Sequence, residues 1–190
     1  MNVNENIIFT AADSSLIPQI RKFIFTVITE DFGYCYNPVW HYDLDHLDEV
    51  YIKPKRNVLF LALGSLSREI LGTFGIRAFE RDFFRDRYSE DTTAEFTRCY
   101  VDKKQRRKGL GSYLVVKAEK FCRERGYEKV YLHTQKTVPG ALEFWLHNGY
   151  QITGYGDKAL GTVHMEKILR QPASGDQSLG SKGKKINSDD

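Results

Sequence analysis

The stretch Val101-Asp102-Lys103-Lys104-Gln105-Arg106-Arg107-Lys108-Gly109-Leu110-Gly111 decides how the rest of this chain is read. A strand-like segment, Glu95-Phe96-Thr97-Arg98-Cys99-Tyr100-Val101, leads into it. An amphipathic helix leads out of it, from Leu110 to Arg125, with Leu110, Leu114, Val115, Ala118, Phe121 and Cys122 on one apolar stripe. Lys117, Lys120, Arg123, Glu124 and Arg125 lie largely outside the stripe. Five of the six residues from Lys103 to Lys108 are basic, so the loop between strand and helix is a local concentration of positive charge. Glycine lets the backbone approach a ligand closely, and the first turn of a helix offers unpaired N–H groups to an anion. The stretch therefore reads as a cradle for a phosphorylated ligand. A nuclear-localisation or nucleic-acid patch is the rival reading of such a basic run.

Working outward, strands and helices alternate. Ile7–Ala11 reads as a first strand, and Asp13 or Ser14 can cap a helix reaching to about Glu30, with Leu16, Ile20, Phe23 and Val27 at helical spacing. Residues 31–42 are loop-like, and Asp43 can cap a short helix over Leu44–Tyr51. Val58–Leu63 and Glu69–Phe79 read as a hairpin, followed by a charged excursion over 80–91. After the basic loop and its helix come a strand over Lys129–Thr134, a short helix over Gly140–Asn148, and two last strands, Tyr150–Tyr155 and Thr162–Ile168. The segment from Gln171 to Asp190 is almost devoid of apolar residues and reads as a disordered tail, leaving 1–170 as a single domain.

Composition narrows the class. With 190 residues there is room for one full hydrophobic core, and 13% aromatic residues argue against disorder over most of the length. No apolar run is long enough for a membrane span, and the start lacks the features of a secretory signal, so a cytoplasmic protein with no membrane partner is expected. Three cysteines, Cys35, Cys99 and Cys122, have no metal-ligand spacing; they read as reduced thiols, with no metal expected. A net charge of only +3 is too weak to imply a nucleic-acid partner by itself.

Arg106-x-x-Gly109-x-Gly111 resembles the Gln/Arg-x-x-Gly-x-Gly/Ala signature of the GCN5-related N-acetyltransferase (GNAT) superfamily. The strand before it resembles that family's fourth strand, and Ala141-x-x-Phe144-Trp145-x-x-x-Gly149-Tyr150 resembles its second motif, Ala-x-x-Phe-Tyr-x-x-x-Gly-Phe. The resemblance covers about residues 6–169. It implies a mixed α/β fold, a mostly antiparallel sheet flanked by helices, and acetyl-CoA as cosubstrate in a split between the fourth and fifth strands. It implies that backbone groups of Cys99, Tyr100 and Val101 meet the pantetheine arm, and that the N–H groups from Arg106 through Arg107, Lys108, Gly109, Leu110, Gly111 and Ser112 meet the pyrophosphate. It further implies direct attack by an amine in a ternary complex, and a homodimer is compatible with the family. Where the family often carries a thiolate-protonating Tyr this chain has Trp145, which suits packing against the cofactor's arm or the sheet; indole N–H is no acid near neutral pH. That departure keeps a second expectation open, an inactive acyl-CoA-binding regulatory domain.

Acetyl transfer to an amine needs a proton acceptor and a donor for the thioester oxygen. Glu95 lies fourteen residues before Gly109, the offset at which the histone-acetylating branch carries its catalytic glutamate, and is the first candidate base. Strand alternation puts Glu95, Thr97 and Cys99 on one face and Phe96, Arg98 and Tyr100 on the other. His133, at the end of the next strand, is the second candidate base; Tyr155 and His147 are weaker acids, and Cys99 reads as a small hydrophobe rather than a nucleophile. The acceptor side draws on Tyr34, Tyr36, Trp40, His41, Tyr42, Asp43, Glu80 and Asp82, whose aromatic faces and carboxylates suit a cationic amine. The alternative is that the aromatics fill the core and the acids face solvent.

Overall fold

The hydrophobic runs assemble into one seven-stranded sheet. The computed structural model describes residues 6–169; the expected tail lies outside them. The strands are β1 (Ile7–Ala11), β2 (Val58–Gly64), β3 (Ile70–Ala78), β4 (Thr93–Val101), β5 (Lys129–Gln135), β6 (Gln151–Tyr155) and β7 (Thr162–Ile168), in spatial order β1-β2-β3-β4-β5-β7-β6. Every pairing is antiparallel except β4 with β5. The helices are α1 (Ile17–Val27), α2 (Tyr42–Asp45), α3 (Leu110–Glu124) and α4 (Ala141–His147). The mixed, mostly antiparallel architecture is the one expected.

The helix expected from Asp13 to Glu30 is broken into three pieces. Asp13 accepts from the Ser15 N–H at 2.8 Å and starts a short 3₁₀ turn, α1 follows, and residues 28–32 wind wider, with five-residue hydrogen bonds, before Gly33. The second expected helix also differs. Asp43 does not cap it but lies inside α2, buried, because its carboxylate is drawn to a cation on the sheet.

Helix α3 packs on the sheet with the predicted stripe. Leu110, Leu114, Val115, Ala118 and Cys122 are buried against Phe74, Ile76, Phe96, Val130 and Leu132. Each fully buried large apolar side chain contributes about 1.5–3 kcal/mol. Glu119 is buried in the same helix, where Lys167 Nζ donates to it at 2.6 Å and the Tyr150 hydroxyl at 3.2 Å. On the opposite face of the sheet Ile20, Ile24, Leu44, Leu47 and Tyr51 cover Leu59, Leu61 and Leu63.

Trp145 belongs to the α3 side of this core. It is 7% exposed, with ring centroids 5.0 Å from Phe144, 5.1 Å from Tyr150, 6.3 Å from Phe74 and 6.5 Å from Phe96. Trp145→Ala is expected to cost about 3–5 kcal/mol in a denaturant titration. Trp145→Phe keeps an aromatic ring in the same packing and should stay folded with a smaller loss; a loss as large as that of Trp145→Ala would show that the indole's own shape carries the packing.

Candidate active site

A bulge in β4 shapes the site. Thr73 of β3 faces Tyr100 and Gly75 faces Thr97, so Arg98 and Cys99 together oppose one residue of β3. Arg98 takes φ 47, a left-handed conformation that costs a non-glycine residue energy. The cost is offset by side-chain bonds. Arg98 Nε donates to Asp43 Oδ2 at 2.9 Å and Nη2 donates to the Trp40 carbonyl at 2.7 Å. Tyr51 donates to the same Asp43 oxygen at 2.8 Å and contacts Thr97 Oγ1 at 2.7 Å. This buried network holds the Asp43 carboxyl below the ordinary carboxylate range despite its burial, through Arg98 and Tyr51.

The bulge also overturns the expected face assignment, because one extra residue resets the alternation. Phe96, Cys99 and Val101 pack on the α3 side, whereas Tyr100 packs with the α1 side and Arg98 reaches Asp43 of α2. Burial pushes the Cys99 thiol far above its usual range, which removes it as a nucleophile.

Beyond the start of β4 the sheet opens. β4 pairs with β5 only over Thr93↔Lys129, Ala94↔Val130 and Glu95↔Tyr131; among the described residues no later pair joins them. The β4 backbone from Phe96 to Val101 therefore presents an edge to a split. At its far end lies the basic loop. Asp102 caps a 3₁₀ turn by accepting from Lys104 N–H at 2.9 Å, and Gly109, at φ 85, turns the chain into α3. The first bond of α3 runs from the Tyr113 N–H to the Gly109 carbonyl at 3.0 Å, and no side chain caps this end. The N–H groups of Leu110, Gly111 and Ser112 are thus available to an anion.

The structure redistributes the roles within the loop. Arg106 is a strut: its Nε donates to the Val101 carbonyl at 2.9 Å and its Nη2 to Asp31, toward which Lys103 Nζ also lies at 3.6 Å. Arg107 and Lys108 are exposed and have no acidic partner among the described residues, so they are the side chains free to meet phosphate. Gly109 has open space where a Cβ would stand, whereas a Cβ on Gly111 would lie 3.0 and 3.2 Å from Phe144 ring atoms. Gly111 is small because of Phe144 of α4, an inter-helix contact the motif alone did not disclose. Uncapped donors, unpaired cations and an open strand edge fit a CoA ester.

Of the two candidate bases, Glu95 is fully buried and held by two arginines. Arg77 Nε and Nη2 donate to Oε2 at 2.9 and 2.8 Å, and Arg81 Nε and Nη2 to Oε1 at 2.8 and 2.6 Å. Both oxygens of the first candidate base are occupied by guanidinium donors, and the carboxylate is buried as their counter-ion. Glu95→Gln is expected chiefly to lower thermal stability, by up to about 3–5 kcal/mol, because it leaves two half-buried guanidinium groups without a counter-charge. A variant with wild-type stability and depressed turnover would restore Glu95 as the base.

His133 stands on the wall of an open cavity of about 220 Å³, with Arg81, Phe83, Tyr131, Gly156, Asp157, Thr162 and His164. The side chain is accessible from the cleft yet set deep among protein atoms. That desolvation, assisted by Arg81, pushes its pKa down to about 4 and keeps the imidazole neutral near pH 7. His164, opposite His133 in the β5–β7 register, bonds through Nδ1 with the Tyr131 hydroxyl at 2.8 Å, and burial and Arg81 depress its pKa too. Arg77, Arg81, Tyr131, Asp157 and His164 were not singled out from the sequence. Two of them had a signal: Tyr131 shares the His133 face by alternation, and His164 faces His133 once β5 and β7 pair.

The expected acceptor-side residues gather only in part: the Tyr34 ring lies 6.1 Å from Trp40 and the Tyr36 ring 5.8 Å from His41, and Arg98 joins Asp43 to the Trp40 carbonyl. Asp43 is tied to Arg98, Asp82 pairs with Arg85 at 2.6 Å, and Glu80 is exposed. Tyr34 reaches across to Gln135 Oε1 at 3.3 Å, while Tyr36, Trp40 and Tyr42 are surface-exposed and His41 is buried. Of the weaker acids, Tyr155 is exposed beneath Lys136 Nζ at 4.3 Å and His147 is exposed at the end of α4.

A parted pair of parallel strands inside an otherwise antiparallel sheet, with a phosphate-type loop at the strand end, defines an acyl-CoA-dependent acyltransferase fold. The profile of the Acetyltransferase (GNAT) family matches residues 22–150, and the chain belongs to that family, whose members take the acyl group from an acyl-CoA. No curated protein matches the chain. Among solved structures, a GNAT-family acetyltransferase from Staphylococcus aureus Mu50 is similar, with 20% identity, TM-score 0.71 and coverage of 86% of this chain and 99% of that one. An acetyltransferase from Streptococcus agalactiae 2603 has 14% identity, TM-score 0.71 and coverage of 87% and 100%. A spermidine N-acetyltransferase from Vibrio cholerae, solved with CoA and spermine, has 15% identity, TM-score 0.63 and coverage of 87% and 97%. At these identities the likeness is one of fold.

Proposed function

We propose that the protein is an acetyl-CoA-dependent N-acetyltransferase acting on a primary amine by direct attack in a ternary complex. The observation that carries this reading is the split beyond Glu95 and Tyr131, with the uncapped α3 N-terminus at one end and the neutral His133 in an open cavity on the other side. Bound acetyl-CoA supplies an activated acyl group as a thioester. The N–H groups of Leu110, Gly111 and Ser112, with Arg107 and Lys108, hold the pyrophosphate. Backbone groups of Cys99, Tyr100 and Val101 hold the pantetheine arm, and an N–H among them faces the acyl oxygen.

An alkylammonium with a pKa near about 10 first sheds one proton to solvent; as the neutral amine attacks and the C–N bond forms, its nitrogen sheds a second, and His133 is the group we assign to take that one. Glu95 holds Arg77 and Arg81 in place. Trp145 supports the sheet beneath the split, and a protonated group other than its indole, or water, returns a proton to the thiolate.

The test is thiol release from acetyl-CoA with a panel of amines, with mass detection of the acetylated product. Amine-dependent release with a product 42 mass units heavier, about the mass of an added acetyl group less one hydrogen, supports the reading. Tight acetyl-CoA binding with no product from any amine would replace it by the non-catalytic acyl-CoA-binding domain.

A further inference from the structure

The cavity beside His133 has a charge pattern that selects among amines. Arg77 and Arg81 share a single carboxylate, Glu95, so this cluster carries one positive charge in excess, and Arg81 presents it to the cavity. Arg81 lines the cavity, and its Nη1 has no acceptor among the described residues, since Nε and Nη2 serve Glu95. The Arg81 guanidinium lies 5.6 Å from the Phe83 ring centroid, which limits its freedom to swing away. The acids that would hold a second ammonium are engaged elsewhere: Asp43 by Arg98 and Asp82 by Arg85. The one acid on the cavity wall among the described residues is Asp157, and its Oδ1 already accepts from Ala159 and Leu160 N–H groups at 2.7 and 3.0 Å. About 220 Å³ is room for a small molecule, not for a folded segment of protein.

We infer that the acceptor is a small amine bearing its own carboxylate, of the amino-acid type, with the carboxylate at Arg81 and the amine at His133. This rests on the acetyltransferase reading above. A guanidinium with a free N–H edge is the side chain best matched to a carboxylate, and neutral imidazoles beside it donate or accept without adding charge. A polyamine would place a second positive charge against Arg81, and the one carboxylate on the wall among the described residues, Asp157, is turned to backbone N–H groups through Oδ1.

The experiment compares free amino acids with their amides, and with spermidine, in acetyl transfer by the wild type, Arg81→Gln and Arg81→Lys. Amino methylphosphonates form a further arm, to separate a carboxylate preference from a general oxyanion preference. For the wild type, kcat/KM should be about 10- to 150-fold higher for the acids than for the amides, as for losing a hydrogen bond to a charged group. Arg81→Gln should remove most of that ratio by slowing the acids far more than the amides, and Arg81→Lys should keep part of it. Equal rates for acid and amide, a preference for the phosphonates, or a preference for spermidine would overturn the inference. If no acceptor turns over while acetyl-CoA still binds, the acetyltransferase reading fails, and thermal shifts decide the site: stabilisation by the acids and not by the amides upholds it, and no difference overturns it.

Discussion

Gly111→Asp is expected to abolish acetyl-CoA binding. Two effects act together. An added Cβ would lie 3.0 and 3.2 Å from the Phe144 ring, forcing α3 and α4 apart or the ring to turn. Such overpacking costs about 1–3 kcal/mol, so the variant should melt lower than the wild type but remain folded. The new carboxylate would also sit in the first turn of α3 among the N–H groups that the pyrophosphate needs, satisfying them internally and repelling the ligand. Gly111→Ala isolates the steric part and should bind weakly. Gly109→Ala isolates backbone strain: φ is 85 there, but nothing lies within 4 Å of the added carbon. It should lose about 1–2 kcal/mol of stability and keep more of its affinity than Gly111→Asp. Calorimetric titration together with thermal melts reads both quantities, and unchanged acetyl-CoA affinity in Gly111→Asp would reject the α3 N-terminus as the anion site.

His133→Gln should lower kcat by about 10²–10⁴-fold with little change in acetyl-CoA affinity, the loss typical of a general base. The pH profile carries the sharper test. His133 is expected to be neutral well below pH 6.5, because its setting among protein atoms at the cleft wall and the nearby Arg81 push its pKa down to about 4. From pH 5 to 8 the small neutral fraction of the acceptor amine rises about tenfold per pH unit while His133 stays neutral, so log kcat/KM should rise with a slope near one and no break at the ordinary imidazole value of about 6.5. A break there, absent from the Gln variant, would show His133 titrating as a solvated histidine. Near-normal turnover in the variant would remove the base assignment outright. The same depression has a consequence for stability. The unfolded chain takes up this proton first, so His133 detracts from stability as pH falls from about 6.5 toward 4 and contributes nothing above that window.

The fold was legible because its signals are local and periodic. The stripe from Leu110 to Cys122, the alternating run into Val101 and the two glycine motifs each report a conformation the neighbouring residues enforce. They yielded the order of strands and helices, the phosphate loop and the family resemblance. The site's chemistry was less legible, because it depends on pairings across long stretches of chain. Nothing near Glu95 in the sequence says that Arg77 and Arg81 will occupy both of its oxygens, yet that pairing fixes the carboxylate's surroundings. The bulge at Arg98 is equally hidden: an extra residue in one strand is defined only against its partner, and it reverses every side chain that follows. Gly111 was marked by the motif, but the reason it must be small is Phe144, a contact made by another helix. Arg106 stands in the motif, but only the fold shows that its side chain is held by Asp31, 75 residues away. The sequence by itself determined most of the elements, their order and the basic loop proposed to bind the anion, since these follow from propensities and periodicities over a few residues. The tertiary structure decided which charges remain free to do chemistry, since a buried charge takes its role from whichever partner the fold brings within hydrogen-bond reach.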